Sequence, residues 1–275
     1  FEKPIVQEED ANAVRRLNQF TGPFILRRMK SEVLRELPPK TENVRRVELE
    51  TEQRKLYLAA VVDAREKLWA AKPEDKMTVF AVLMRLREIC CDPRLVADNW
   101  TGSSAKLDAC LELVTEAVAG GHRILLFSQF TSMLELLAKR LDEAGVSHFT
   151  LQGSTPKPVR AEQVRRFNQG EADVFLISLR AGGTGLNLTA ADIVIHYDPW
   201  WNLAAQNQAT DRAYRIGQRN PVQVYRLIAQ DTIEEKIVEL QQAKQSLADT
   251  VTGGADGAIL SMNPEQLLQL LGEEA

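Results

Sequence analysis

The chain has 275 residues, of which 44% are hydrophobic and 26% are charged, and its formal net charge is −4. These proportions are ordinary for a soluble globular protein, and the length is enough for two structural units with a substantial core. No apolar run approaches the roughly 20 residues of a transmembrane helix, and the small net charge does not by itself indicate a nucleic-acid partner.

The first hundred residues predict helices. Helical patterns lie at residues 8–19, 28–37, 51–71 and 76–90. Prolines separate these patterns, so we expect residues 1–103 to form a helical segment that ends in a short linker, Thr101–Ser104. The chain begins FEKPIVQEED, without Met or the apolar core of a signal peptide. We therefore expect a piece of a longer protein.

Charge is distributed unevenly along the chain. Residues 231–275 are acidic, whereas residues 23–46 are basic. The basic side chains are Arg27, Arg28, Lys30, Arg35, Lys40, Arg45 and Arg46. A short basic stretch is more often a solvated face than a binding patch.

The cysteines and histidines indicate neither disulfides nor a metal site. Cys90, Cys91 and Cys110 are odd in number, and two of them are adjacent, which predicts reduced cysteines in a core. The three histidines are scattered along the chain, so no spacing suits zinc. A cytosolic or nuclear compartment follows.

Residues 104–230 alternate between strand and helix patterns. Apolar strand patterns lie at residues 124–129, 147–153, 173–179, 192–198 and 222–229. Helix patterns lie at residues 105–118, 131–144 and 159–168. Strands joined through helices pair in parallel by right-handed crossovers, and strands without strict alternation are buried on both faces. The fold class is therefore α/β, a three-layer parallel sheet with helices on both faces.

Residues 231–275 predict a trailing helix and an acidic tail. An apolar stripe at residues 231–248 predicts a long helix, with Asp231 or Thr232 as its cap. Residues 250–258 form a glycine-rich break, and residues 264–272 predict a short terminal helix.

Polar loops follow several of the strands. Because the carboxyl ends of parallel strands meet at one edge of a sheet, these loops should lie together. Their candidate binding residues are Ser128, Gln129, Gly153, Ser154, Thr155, Arg180, Gly183, Thr184 and Gly185. Hydroxyls, amides and glycine N–H groups suit a sugar-phosphate backbone. Taken singly, the glycine-rich loop is equally compatible with a plain tight turn.

Residues 203–218, LAAQNQATDRAYRIGQ, place Gln208, Arg212 and Arg215 four and three apart. On one helix this spacing puts all three on the same face. Asn202 is suited to the N-cap, and Gly217 to the C-terminus. Two guanidiniums and an amide suit phosphate oxygens. The alternative is a solvated basic face on which Asp211 pairs with Arg215.

These segments resemble motifs of the Swi/Snf family of superfamily-two DNA translocases, in the correct order over about residues 20–250. The run at 203–218 resembles motif VI, residues 178–192 resemble motif V, and residues 124–137 resemble motif IV. Further similar blocks are LQGST at 151–155 with Arg160 and VRRFN at 164–168, YDPWWNL at 197–203, FILRRMKSEVLRELPPKTE at 24–42, LREICCDPRL at 86–95 and SAKLDACLELV at 104–114. The chain departs from the usual pattern at Gln152, Leu203 and Tyr214.

The resemblance implies the second RecA-like lobe of a motor. Arg212 and Arg215 would then be catalytic arginine fingers on ATP, and Gln208, Gly183 and Gly185 would contact the nucleotide. Arg180 and Trp201 would lie at the minor groove of double-stranded DNA, beside Thr184 and the polar loops named above. Residues 1–103 would be a family-specific helical elaboration, 104–230 the RecA-like domain, and 231–275 a brace helix with its tail.

The sequence contains no GxxxxGK[ST] motif and no strand that ends in an Asp-Glu pair. By resemblance, these elements belong to an N-terminal RecA-like lobe of the same protein, which would hold most of the ATP and Mg. We therefore expect this piece to be a monomer that binds no membrane or cofactor and hydrolyses no ATP alone.

Two other functions stay open. The chain could be a non-enzymatic DNA-binding or docking module derived from a helicase lobe, or part of an RNA-directed helicase. The compact spacing of the motifs favours a bacterial, cytoplasmic protein, whereas a eukaryotic one would be nuclear.

Overall fold

The protein is described here by a computed structural model, which covers residues 12, 15–16, 19–20, 37–179, 185–250 and 262–272, without side chains at 243–250. Within these residues one parallel sheet has the order β1-β6-β5-β2-β4-β3. Its strands are β1 (Lys40–Val47), β2 (Ile124–Ser128), β3 (His148–Leu151), β4 (Val174–Ser178), β5 (Ile193–His196) and β6 (Val222–Ala229). The helices are α1 (Thr51–Ala70), α2 (Lys76–Cys91), α3 (Ala105–Ala119), α4 (Thr131–Glu143), α5 (Lys157–Asn168), α6 (Leu203–Thr210), α7 (Ile233–Thr250) and α8 (Pro264–Leu270).

The sheet is covered on both faces, as its apolar strands predict. Every residue of β2, β4 and β5 is buried. Ile124 and Leu126 share a core with α3 and α4, whereas Leu125 and Phe127 share another with α5 and α6. The alternation of side chains along a strand produces these two cores. The architecture is the expected three-layer RecA-like fold.

Strand β1 is absent from the sequence-based prediction, which placed only helices in residues 1–103. It pairs in parallel with β6 along its whole length, from Lys40 opposite Val222 to Val47 opposite Ala229. The strand lies at a sheet edge and is mostly exposed, so its sequence KTENVRRV lacks an apolar run. The predicted helices at 51–71 and 76–90 are confirmed, whereas those at 8–19 and 28–37 lie wholly or mostly outside the described residues.

A third core joins helices from the two ends of the described chain. Helices α1 and α2 pack with α7 and α8, through Leu68 and Leu83 on one side and Ile237 and Leu267 on the other. Segments that the sequence separates at residues 103 and 231 thus form one helical body. A fully buried ion pair fastens that body to the sheet domain, because Lys106 of α3 lies 2.6 Å from Glu234 of α7.

The described basic residues of the 23–46 stretch are paired with glutamates. Lys40 pairs with Glu42, Arg45 with Glu112, and Arg46 with Glu235. These pairs agree with a solvated face. Arg27, Arg28, Lys30 and Arg35 lie outside the described residues. Among the described helices, none has the length and apolar character needed to cross a bilayer.

Candidate functional site

An open depression of about 340 Å³ brings together Gln208, Arg212 and Arg215. Gly185, Leu186, Asp211 and Ile216 complete its lining. Gln208 and Arg215 are exposed, so both can reach a ligand from solvent. The structure therefore gathers the three predicted residues with one glycine of the predicted glycine-rich loop. Gly183, Thr184 and Arg180 lie outside the described residues.

The helix that carries this site is shorter than predicted. Asn202 caps α6 as expected, since its side chain accepts a hydrogen bond from the Ala205 N–H at 3.1 Å. However, α6 ends at Thr210, and residues 211–217 form turns. The carbonyl of Arg212 accepts from the Leu188 N–H, and that of Ala213 accepts from the Gln218 side chain.

These contacts replace the helical hydrogen bonds that would have continued α6. Gly217 does adopt the left-handed conformation predicted for it, with φ of 105°, but it closes a turn rather than a helix. Arg212 and Arg215 therefore reach the depression from turns that are anchored by tertiary contacts. The assumption of one continuous helical face is wrong, although its three side chains still meet.

Arg212 is the most constrained side chain of the depression. It is only 6% exposed, and its Nε is buried without a hydrogen-bond partner among the described residues. Burial lowers the pKa of its guanidinium, and the positive charge of Arg160 lowers it further. A bound anion would relieve both effects, because it would supply an opposite charge and an acceptor. The donor set thus fits phosphate oxygens.

A buried histidine contacts the C-terminal end of α6. His196 of β5 stacks on Phe127, and its Nε2 lies 2.9 Å from the Thr210 hydroxyl at the end of α6. Burial lowers the pKa of His196 to about 3, and the charge of Arg226 contributes. His196 is therefore neutral in the folded lobe at neutral pH.

We predict that His196 makes the lobe sensitive to acid. Below its ordinary pKa of 6.5 the unfolded chain binds a proton that the folded chain excludes until about pH 3. Stability is therefore lost as pH falls through this window, by at most about 1.4 kcal/mol per pH unit. Urea unfolding at several pH values should show the advantage of wild type over His196→Gln shrinking as pH falls. Parallel pH profiles would contradict the prediction.

Two predicted contacts at the end of β2 have side chains that bond to other parts of the protein. Ser128 is fully buried, where its hydroxyl donates to Asp198 at 2.6 Å and accepts from the Phe130 N–H. The amide oxygen of Gln129 accepts from Arg87 at 2.8 Å, and its nitrogen is buried. The Ser128 hydroxyl is therefore occupied by contacts within the protein, and its predicted role as a DNA contact is not supported by its burial. The Gln129 side chain is likewise committed to protein contacts.

Trp201 is half-buried, and one face of its ring is already occupied. The guanidinium carbon of Arg87 lies 4.1 Å from the ring centroid, which is a cation–π contact. Trp201 also packs against the helical core. The rest of the side chain is available to a ligand, so its predicted role in DNA binding stays a prediction.

The loop after β3 is better placed for an external contact. Gly153 and Ser154 are exposed, and Thr155 is half-buried with its hydroxyl oxygen accepting from the Gln152 N–H at 3.0 Å. All strands are parallel, so this loop shares the carboxyl edge of the sheet with residues 128–129 and 197–201.

Sequence reasoning assigned no role to Arg87 or Asp198, which form a fully buried ion pair behind this edge. The sequence pattern of α2 does indicate that Arg87 is buried. Arg87 lies four residues after Leu83 and three before Cys90, so it occupies the apolar stripe of the helix. A charge on a buried stripe predicts a buried partner.

Comparison with known proteins identifies the family. The model of the SNF2-related domain matches residues 1–95, and that of the helicase conserved C-terminal domain matches residues 105–217. An uncharacterized ATP-dependent helicase of Mycoplasma genitalium, MG018, is 37% identical over 274 residues, which cover 98% of this chain and 26% of the relative. The mouse SWI/SNF-related matrix-associated actin-dependent regulator of chromatin subfamily A member 1 is 37% identical, covering 88% of this chain and 24% of that protein. The chain thus spans about a quarter of the length of these relatives.

Solved structures agree. The C-terminal domain of the Sulfolobus solfataricus SWI2/SNF2 ATPase is matched over its entire length by 86% of this chain, with 27% identity and a TM-score of 0.70. The core of that ATPase has also been solved in complex with double-stranded DNA. The match to it covers 90% of this chain and 53% of that chain, with 32% identity and a TM-score of 0.68. The chain therefore belongs to the SNF2-related, or Swi/Snf, family and carries its helicase-type C-terminal domain.

Proposed function

We propose that this chain is the second motor lobe of a Swi/Snf-type ATP-dependent translocase or remodeller of double-stranded DNA. One observation carries the proposal. Gln208, Arg212 and Arg215 line the same depression, and Arg212 is buried there with an Nε that has no hydrogen-bond partner in the part of the chain that the structure describes. That arrangement fits an anionic ligand delivered from outside the lobe.

In this proposal ATP is bound between two lobes. The first lobe holds the β- and γ-phosphates with Mg, and Arg212 and Arg215 approach from the second. Their guanidiniums stabilise the charge on the transferred phosphoryl group, and their planar donors contact its oxygens in pairs. Gln208 is exposed on α6 and would contact the γ-phosphate or orient its neighbours. The full-length match to an isolated C-terminal ATPase domain supports this division of roles.

Double-stranded DNA is the proposed second ligand. A similar ATPase core is known in complex with double-stranded DNA. The proposed contacts are Arg180, Thr184, Trp201 and the loop Gly153, Ser154 and Thr155. Opening and closing of the lobes would then move the DNA contacts stepwise. We favour a bacterial cytoplasmic motor because the motifs follow one another without long insertions; a eukaryotic one would act in the nucleus.

The alternative, a docking module without enzymatic activity, is less consistent with Arg212. A docking module gains nothing from a guanidinium that is buried near another cation. An RNA-directed helicase is also less consistent, since the family relatives include a chromatin regulator and the structural match contains DNA.

We predict that the DNA contacts can be separated from hydrolysis. In the complete two-lobe protein, Arg180→Ala should weaken DNA binding and reduce its salt slope by about 1, because one phosphate contact is lost. Trp201→Ala should lower translocation per ATP more than it lowers hydrolysis. The measurements are DNA-free and DNA-stimulated ATPase rates together with translocation.

Trp69→Ala is the matched control, because Trp69 of α1 is 77% exposed and lies outside the carboxyl edge. This control should behave as wild type. Full DNA stimulation and full translocation in both the Arg180 and Trp201 variants would show that these side chains are merely structural.

A further inference from the structure

Arg87 reaches from the helical body into the sheet domain, where its guanidinium is completely buried. One terminal nitrogen donates to the Gln129 side chain at 2.8 Å. The other donates to the Pro199 carbonyl and lies 3.5 Å from the Asp198 carboxylate. The planar fork therefore holds the end of β2 and the turn after β5 at once. A buried charge is unfavourable unless it is paired in this way.

Asp198 extends the same network. Its carboxylate accepts the Ser128 hydroxyl at 2.6 Å and also the Gln129 N–H. Arg87 in turn lies against the ring of Trp201, 4.1 Å from the centroid. Of the predicted DNA contacts, Ser128, Gln129 and Trp201 thus all touch one buried ion pair.

The turn at residues 198–201 is also tied to two helices. The Trp200 N–H donates to the Gln206 side chain of α6 at 3.3 Å, and the Trp200 carbonyl accepts from Gln241 of α7. A single residue, Asn202, separates Trp201 from the start of α6. Helix α6 carries Gln208 and leads to Arg212, so any shift of the turn must displace the side chains of the depression.

We infer that Arg87 is a positioning residue that couples DNA contact to ATP turnover. It fixes the 198–201 turn, so that Trp201 is presented at the carboxyl edge while α6 is held with its phosphate-facing residues in place. A displacement of Trp201 on DNA binding would then move the 198–201 turn and α6 together, and so change the position of Arg212. The inference rests on the proposed function and adds a regulatory element to it.

The test uses the complete two-lobe protein and compares ATPase rates with and without double-stranded DNA. Arg87→Met combined with Asp198→Asn removes the charged pair without leaving a buried charge unpaired. Gln206 and Gln241 still tie the turn to α6 and α7 in this variant, so we expect its DNA-free rate to stay within a few-fold of wild type. Its maximal stimulation by DNA should fall about tenfold, which lies within the usual range of coupling between two sites.

The matched control is Lys106→Met with Glu234→Gln, which removes the other fully buried ion pair of the described residues. That pair makes no hydrogen bond to residues 198–201 and acts on Asp198 only through its charges, which the double variant removes together. This control should lower the melting temperature in the same way but keep DNA stimulation. Arg87→Lys is a milder variant, which keeps the cation and loses the planar fork, and it should lose several-fold of the stimulation.

The outcomes distinguish three cases. Loss of stimulation in the Arg87 variants, with stimulation intact in the control, supports the inference. Wild-type stimulation in a folded Arg87→Met/Asp198→Asn protein, or in Arg87→Lys if the double variant does not fold, overturns it. Equal loss in the control also overturns it, since the effect would then reflect general stability. A wild-type protein without DNA-stimulated turnover would instead refute the proposed function itself.

Discussion

Alanine in place of Arg212 or of Arg215 is expected to lower ATP turnover of the two-lobe protein by about 10³–10⁵-fold, as loss of an arginine finger does elsewhere. This corresponds to roughly 4–7 kcal/mol of activation free energy. In the proposed function, the guanidinium stabilises the phosphoryl group in the transition state, and either substitution removes that stabilisation. Arg212 itself is only 6% exposed, and its Nε has no hydrogen-bond partner among the described residues, so an anionic ligand could supply one.

Two further variants make the result specific. Lysine at either position should not restore turnover, because its single ammonium cannot reproduce the paired donors of the guanidinium. Arg165→Ala is the matched control, since Arg165 is an exposed arginine on α5 that pairs with Glu162 at 2.6 Å. It should turn over ATP normally. Normal rates in both the Arg212 and Arg215 variants would show that neither guanidinium acts on ATP.

Lys106→Met is expected to destabilise the isolated chain by about 3–5 kcal/mol, the usual effect of breaking a buried ion pair. Glu234 would keep a carboxylate with no exposed surface and lose its cation. Its remaining hydrogen bond from the Ala229 N–H at 2.8 Å does not neutralise that charge. Urea unfolding followed by circular dichroism measures the change.

The double variant Lys106→Met/Glu234→Gln should recover part of the loss, because no buried charge remains. An exposed pair gives the comparison. Lys67 and Asp63 lie 2.7 Å apart on the surface of α1, and Lys67→Met should lose no more than about 0.5 kcal/mol. If Lys106→Met cost no more than Lys67→Met, the pair would not fasten the helical body to the sheet domain.

Strands β2, β4 and β5 are predictable from the sequence because they lie in the interior of the sheet. Such strands are buried on both faces and must be apolar, as ILLFS of β2 is. Strand β1 was missed because it is mostly exposed and its sequence KTENVRRV has no apolar run, whereas the other edge strand, β3, is partly buried. The main-chain partners of β1 on β6 lie far away in the sequence, so a local sequence pattern does not indicate the pairing.

The candidate site was likewise predicted only in part. Spacing alone brought Gln208, Arg212 and Arg215 together, although α6 ends earlier than a local pattern could indicate. Beyond the end of α6, the Arg212 carbonyl accepts from the Leu188 N–H, and the Gln218 side chain joins the Ala213 carbonyl to that of Ala191, so the turns depend on residues outside the local pattern. The burial of Ser128 is likewise set by Asp198, seventy residues away. Spacing predicts which residues share a face, whereas burial depends on partners distant in sequence.

The most direct test of the two-lobe account measures ATP hydrolysis by the purified 275-residue chain and by the complete two-lobe protein, each with and without double-stranded DNA. The account predicts no turnover by the chain alone, because it offers arginine fingers without a loop that cradles the β- and γ-phosphates. It predicts DNA-stimulated turnover by the two-lobe protein. DNA-stimulated hydrolysis by the isolated chain would contradict the claim that this lobe only completes a site held by another.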